Sequence, residues 1–255
     1  MRNSDAGGGV GGAMRKPDRT LIADMEVFQG AGPEMLDAIL ADARVLRIER
    51  ETAVFAEGEE AAAFFLLLDG HVRVVRTTPA GDQVIMRYIG AGQLIGIAQA
   101  IGQATYPASA IAAVDCVALA WPGSLWERFM ARTPGFAAAA CRTVGRRLQD
   151  TQAQLIDMAT GQVEQRVARA LCRLARQSGC QTGAGLEISF PLSRQDIAEM
   201  TGATLHSVSR LLAAWTAMGI IAGGRQRVTV TDFARLQARA GNHPPDASTG
   251  GEHGP

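Results

Sequence analysis

The 255-residue sequence holds a single lysine, Lys16, four cysteines that never fall in close pairs, and no apolar run approaching the length of a membrane span. Each shortage excludes something. Cys116, Cys141, Cys172 and Cys180 stand alone, so the spacing used by zinc sites and cysteine-held clusters is missing and no metal cluster is expected. Without ~20 consecutive apolar residues no helix should cross a bilayer. The start MRNSDAGGGVGGAMRKPDRT also lacks the apolar segment of a secretory signal, so the expected location is the cytoplasm and no membrane partner is expected. No phosphate-cradling glycine loop, no HExxH spacing and no pairing of a nucleophile with a base is found, which argues against an enzyme. Apart from Lys16, the 25 basic residues are all arginine. The planar arginine fork suits guanine edges and phosphates, although genome composition produces the same bias.

What is present points to two cores and a basic end. Apolar residues make up 47% of a chain long enough for two domains of ordinary size. A net charge of zero hides an asymmetry, because Gln162 to Ala240 carries ten arginines against five carboxylates. Nucleic acid is the partner such an end suits. Residues 1–20 and 241–255, rich in glycine and proline, are expected to be mobile tails, with Met14 a second candidate start.

Between the tails the pattern predicts an α+β chain: a β-roll sensor over 21–132, a dimerisation helix over 133–160 and a winged helix-turn-helix over 161–240. A short helix is expected near Glu34 to Ala43. The runs TAVFAEG, FFLLLDG, HVRVVRTTPAGD, QVIMRYIGAG and DCVALAW follow at the spacing of an antiparallel roll. Pro122 to Thr160 then changes period. Cys141, Val144, Leu148, Thr151, Leu155 and Met158 alternate steps of three and four, the seam of a parallel homodimer or of packing against the chain's own domain. Val163 to Leu174 forms another amphipathic helix ending at Gly179, and Leu186, Ile188 and Phe190 alternate as a strand.

SRQDIAEMTGATLHSVSRL, from Ser193 to Leu211, has the spacing of a DNA-reading helix-turn-helix. Ser193 and Asp196 make a capping box, Ile197, Ala198 and Met200 an inner face, and Gly202 the turn. Thr204 is the expected N-cap of the second helix, which Val208 and Leu211 pin to the core. Leu205, His206, Ser207, Ser209 and Arg210 then project as candidates for base and phosphate contacts. Arg194 at the first helix's start is a further candidate. IIAGGRQRVTV reads as strand, Gly-Gly turn and strand, a wing whose Arg225 and Arg227 would lie over phosphates. Thr231 is the expected cap of a last short helix.

This order of parts, with FLLLDGHVRV and GAGQLIG, resembles the Crp/Fnr family of transcription regulators from about Phe28 to Ala240. SRQDIAEMTGATLHSVSRLL and LIGIAQAIGQATYPASAIAAVDCVALAW look most like the nitric-oxide-responsive, Nnr-type regulators of denitrification. The resemblance implies a cyclic-nucleotide-binding-like roll and a homodimer on a pseudo-palindromic DNA operator. It also implies contact with RNA polymerase, activator action and a response to nitric oxide or a related nitrogen oxide. It puts His206, Ser209 and Arg210 at the base-contacting positions, with Arg210 the family residue and His206 in place of the usual Glu. A competing reading is a cyclic-nucleotide or other small-ligand effector module acting through protein contacts.

The departures matter as much. Nucleotide-binding members carry Glu after the glycine and an Arg-Ser pair about ten residues on, where this chain has Ile97 after Gly96 and Tyr106-Pro107. Cyclic AMP is therefore not expected, and without N-terminal cysteines neither is an iron–sulfur cluster. An apolar sensor pocket is expected instead, suited to haem. His71, the sensor's sole histidine, is the candidate effector-binding ligand, although Val72 and Val74 as the inward pair would turn it outward beside Arg73. Cys116 and Met86 are other soft ligand candidates, more readily understood as core.

Overall fold

Glycine and turn residues cut the first half of the chain into short strands that close on one another. The computed structural model describes residues 18–241. Helix α1 (Pro33–Ala41) starts on its proline and leads into strands β1 (Arg44–Ile48), β2 (Ala53–Phe55), β3 (Ala63–Asp69), β4 (His71–Thr77), β5 (Gln83–Gly90), β6 (Leu94–Ile95), β7 (Ser109–Ala112) and β8 (Cys116–Pro122). They form two antiparallel sheets, ordered β1-β8-β3-β6 and β2-β7-β4-β5, which face each other as a roll. Thr78 to Gly81 turns β4 into β5, with the Gly81 amide donating to the Thr78 carbonyl at 2.9 Å.

The core beneath the roll is aromatic. Phe64 stacks on Trp121 at 5.6 Å and meets Trp126, Phe129 and Phe136 at 5.2, 5.4 and 5.7 Å. Trp121 Nε1 donates to the Ile39 carbonyl at 2.8 Å, so α1 is locked to the same cluster.

The segment from Pro122 to Thr160 divides where the long helix is expected to begin. Helix α2 (Trp126–Arg132) ends at Thr133, and Pro134 starts α3 (Pro134–Thr160). A residue preceding proline is pushed out of helical geometry, and Thr133 sits at ψ 91°, which parts α2 from α3. Helix α4 (Val163–Ser178), β9 (Gly179–Thr182), β10 (Gly185–Ile188), α5 (Arg194–Thr201), α6 (Leu205–Ala217), β11 (Ile221–Ala222), β12 (Thr229–Val230) and α7 (Phe233–Arg239) complete the chain, with a third sheet ordered β11-β12-β10-β9. The fold is thus the expected α+β one of β-roll, long helix and winged helix-turn-helix.

Several local expectations are corrected. Strand β9 carries no apolar alternation in GCQT and is held by backbone pairing to β10. Asp232, not Thr231, caps α7, its Oδ1 accepting from the Arg235 amide at 2.9 Å, while Thr231 Oγ1 donates to the Gly219 carbonyl. Val72 and Val74 face the roll core as expected, while Val75 packs on the reader side with Ile85 and Tyr88; the bulge in this pair of strands is at Met86 of β5, which leaves the β4 phase unchanged. Residues 19–21, grouped with the leading tail, form a turn capped by Asp18; the rest of that tail and residues 242–255 lie outside the described residues.

Candidate nucleic-acid interface and sensor corner

The reader is assembled by its caps. Ser193 Oγ accepts from the Asp196 amide at 3.0 Å and Asp196 Oδ2 accepts from the Ser193 amide at 2.7 Å, so both ends of the capping box are closed. Gly202 ends α5 at φ 59°, the left-handed geometry that a side chain resists. Thr204 Oγ1 then accepts from the Ser207 amide at 3.1 Å and donates to Ser207 Oγ at 3.0 Å, fixing the start of α6. Thr204 and Ser207 thus satisfy one another.

Burial splits α6 lengthwise. Val208, Leu212 and Trp215 are buried, and Leu211 is partly so. His206 and Arg210 are exposed, Ser209 is half-buried beside them, and Leu205 stands 48% exposed at the tip. Positions 206, 209 and 210 are three and four residues apart and so share one face. Arg194 is exposed at the start of α5. On the wing Arg225 and Arg227 are both exposed, Arg227 with its Nη2 donating to both oxygens of Glu187 at 2.9 Å. Gln226, which the sequence did not single out, holds φ 63° at the wing tip and accepts from Arg50 Nη2 of the roll at 3.2 Å.

The residues of the predicted helix seam divide into two rows. Cys141, Leu148 and Leu155 follow one another by sevens and face outward, the leucines 59% and 70% exposed. Ile156, also exposed, adjoins this row and had no place in the predicted seam. Val144, Thr151 and Met158 instead each touch their own chain, although Thr151 and Met158 stay exposed, Met158 at 44%. Val144 packs on the roll core, Thr151 Oγ1 donates to the Arg147 carbonyl at 2.8 Å, and Met158 lies against the Gly202 turn, 3.3 Å from where a β-carbon would sit.

The sensor corner is filled by the chain itself. Gly96 takes φ 69°, and a β-carbon there would lie 3.1 Å from Phe65 and 3.2 Å from Phe55. Phe55 stacks on Tyr106 at 3.8 Å and on Phe65 at 5.8 Å, while Ile97, next in the chain to Gly96, is buried in the cluster of Phe64 and Trp121. Tyr106 Oη donates to the Ala63 carbonyl at 2.7 Å and accepts from the Ala63 amide at 3.2 Å. The apolar pocket expected in the roll is therefore corrected at this corner: packed aromatic rings take its place.

His71 lies outside that corner, between the roll and the reader. Its ring is 4.7 Å from Phe190, which also stacks on Tyr88 at 4.3 Å, and its Nε2 is 3.4 Å from Ser189 Oγ. Burial holds its pKa below the usual histidine range, with Asp69 opposing in part. The Cys116 thiol donates to the His71 and Val114 carbonyls and is pushed up by burial. Cys116 is packed into the roll core, His71 lies against Phe190, and Met86 lines a cavity crowded with arginines. These residues do not fit a haem. No group of three or more potential ligands that could hold a metal ion occurs among the described residues, and no described helix is long and apolar enough to cross a membrane.

Comparison with known proteins agrees with this layout. Residues 45–133 match the cyclic nucleotide-binding domain family and residues 165–239 the Crp-like helix-turn-helix domain family. The chain is 30% identical over 197 residues to the transcriptional regulator LdrP of Thermus thermophilus, covering 77% of this chain and 96% of that one. It is 27% identical over 220 residues to a CRP-like cAMP-activated global transcriptional regulator of Mycobacterium tuberculosis, covering 86% and 98%. A solved CRP-family transcriptional regulator, also from Thermus thermophilus, superposes with a TM-score of 0.65 at 28% identity, over 77% of this chain and 97% of the other.

Proposed function

We propose, because this chain belongs to the Crp/Fnr family of DNA-binding transcription regulators, that it acts as a homodimer whose paired α6 helices enter successive major grooves of a pseudo-palindromic operator. The observation that carries this reading is the division of α6, with Val208, Leu212 and Trp215 committed to the core and His206, Ser209 and Arg210 left on one outer face. Arg210 would take guanine O6 and N7 with its fork, and His206 would accept or donate at a neighbouring base or phosphate. Arg225 and Arg194 would lie on phosphates, adding affinity that salt removes. The outward row of Cys141, Leu148 and Leu155 supplies the apolar stripe for a second copy. Selection from random duplexes by the purified protein tests the reading: it should return a two-fold symmetric site with half-sites about one helical turn apart. A monomer at micromolar concentration that enriches no sequence would overturn it.

The finer parts of the proposal are an activator that contacts RNA polymerase, answers nitric oxide or a related nitrogen oxide and controls denitrification genes. They are supported by the likeness of SRQDIAEMTGATLHSVSRLL and LIGIAQAIGQATYPASAIAAVDCVALAW to regulators of that type. His71, Cys116 and Met86 offer haem no fitting ligand set. Mapping bound promoters in cells with and without a nitric-oxide source checks the signal, and unchanged occupancy and transcription would remove it. We further propose that cyclic AMP is not the effector, since Ile97 and the Tyr106–Phe55 stack stand where a ribose and a cyclic phosphate would need polar partners. A calorimetric titration with cyclic AMP should show no binding heat; saturable heat would favour the competing reading of a nucleotide-gated effector module.

A further inference from the structure

A cavity of about 260 Å³ lies between β5, α3 and α4, and none of its lining belongs to the Gly96 corner. Five arginines line it, Arg142 and Arg146 of α3 among them, and three reach into it from three separate elements: Arg87 from β5, Arg147 from α3 and Arg173 from α4. Removing a guanidinium from water is costly unless a carboxylate or several acceptors replace the lost hydration. Here the replacement is incomplete. Arg147 Nη2 donates to the Leu94 carbonyl at 2.7 Å, and Arg87 Nη2 reaches Thr151 Oγ1 at 3.5 Å. Arg87 Nη1 is buried with no partner among the described residues.

None of the three arginines forms a salt bridge among the described residues. The carboxylate of Glu26, also on the cavity wall, is taken by Arg142 at 2.8 Å. Asp157, which faces Arg173, is taken by Arg169 at 2.5 Å. Asp150 remains, attracting Arg87 and Arg173 without a direct bond. Burial depresses all three arginines, and Arg147, repelled by Arg87 as well, is pushed down to about 10. With Arg142 paired to Glu26, the buried or half-buried Arg87, Arg147 and Arg173 face the single carboxylate of Asp150, which leaves two of their charges uncompensated, and the exposed Arg146 on the rim adds a further positive charge.

We propose that this cavity binds a compact, doubly charged oxyanion, a phosphate or a dicarboxylate, held by the forks of Arg87, Arg147 and Arg173. Paired N–H groups of a guanidinium match the spacing of carboxylate and phosphoryl oxygens, which a point-charge ammonium does not. The volume is slightly below that of ordinary ligand pockets, which restricts the occupant to a small molecule. Such a ligand would touch the roll, the long helix and the reader's first helix together. Its effect on operator affinity rests on the function proposed above; its binding does not.

The test uses the full chain without DNA, so that failure of the site and failure of the DNA reading are separate. Calorimetry and thermal melting are run with inorganic phosphate in one arm and succinate in the other, each against chloride at matched ionic strength. At least one dianion should bind saturably and raise the melting temperature. Arg87→Gln and Arg173→Gln should each weaken that binding by about tenfold or more, the loss of one charge-assisted contact. Arg19→Gln, at an exposed pair with Asp37, should leave it unchanged. Without anion, Arg87→Gln should melt no lower than the unaltered protein, because a buried donor without a partner has been removed. Dianions no better than chloride, equal binding by both variants, or a lower anion-free melting temperature in both would each overturn the site. Should one variant fail to fold, the other decides.

Discussion

Helix α6 and the Gly96 corner of the roll both stand where a binding partner is expected, and they are finished in opposite ways. On α6 the outward side chains are polar and bare, and the work of holding the helix falls to Val208, Leu212 and Trp215 behind them. At Gly96 the side chains that would face a ligand, Phe55, Phe65 and Tyr106, are stacked on one another instead. A surface kept for a partner spends few of its residues on stability. A corner filled from within does the reverse.

Substitutions can break or sharpen that contrast. The largest stability effect should come from Tyr106→Ala, which removes a buried ring and its two hydrogen bonds to Ala63. A loss of about 3–5 kcal/mol is expected in urea unfolding, as for other aromatic truncations in a core. A loss under about 1 kcal/mol would mean that the corner is not packed as described. Arg210→Ala should leave unfolding unchanged while weakening operator binding by about 1–3 kcal/mol, roughly ten- to a hundredfold, read by gel shift. Equal shifts for variant and unaltered protein would erase the contrast from the other side.

Ser193→Ala tests the joint between the two roles. Loss of the capping box should cost about 1 kcal/mol of stability and, by fraying the start of α5, weaken DNA binding less than Arg210→Ala does. The smallest expected effect is one of pH. His71 is held in its neutral form by burial between roll and reader, against the opposing charge of Asp69. Its folded pKa lies below the unfolded one, so the stability it contributes is complete above the usual value of 6.5 and is lost as pH falls through 6.5 toward the depressed value. Urea midpoints measured across that window should fall with acid in the unaltered protein and fall less in His71→Phe.

The reader was the most legible part of the sequence because its signals are local. Ser193 with Asp196, Gly202 and Thr204 each act within three or four residues, and the hydrogen bonds found are those the spacing predicts. Legibility fell where neighbours compete. Thr231 and Asp232 are both good caps, and which one is used depends on Thr231 being drawn off to the Gly219 carbonyl. The bulge at Met86 of β5 was not legible, since strand period says nothing about an inserted residue, but the alternation of Val72 and Val74 in β4 was. Least legible was the arginine cavity. Arg87, Arg147 and Arg173 are separated by 60 and 26 positions, and only the packing of three elements brings them together. The predicted seam lay between these extremes: its six residues lie on one helix, but the sequence could not show that alternate members serve the chain itself.

That division of α3 constrains how the protein can change over time. One register must aim Leu148 and Leu155 at a neighbour while seating Val144 on the roll and resting Met158 on the bend at Gly202. Gaining or losing a single residue between them would swing everything downstream by about 100° around the axis. The rod can therefore exchange side chains freely along its wet faces, yet its length should be inherited almost unaltered, drifting, where it drifts at all, in steps of about seven.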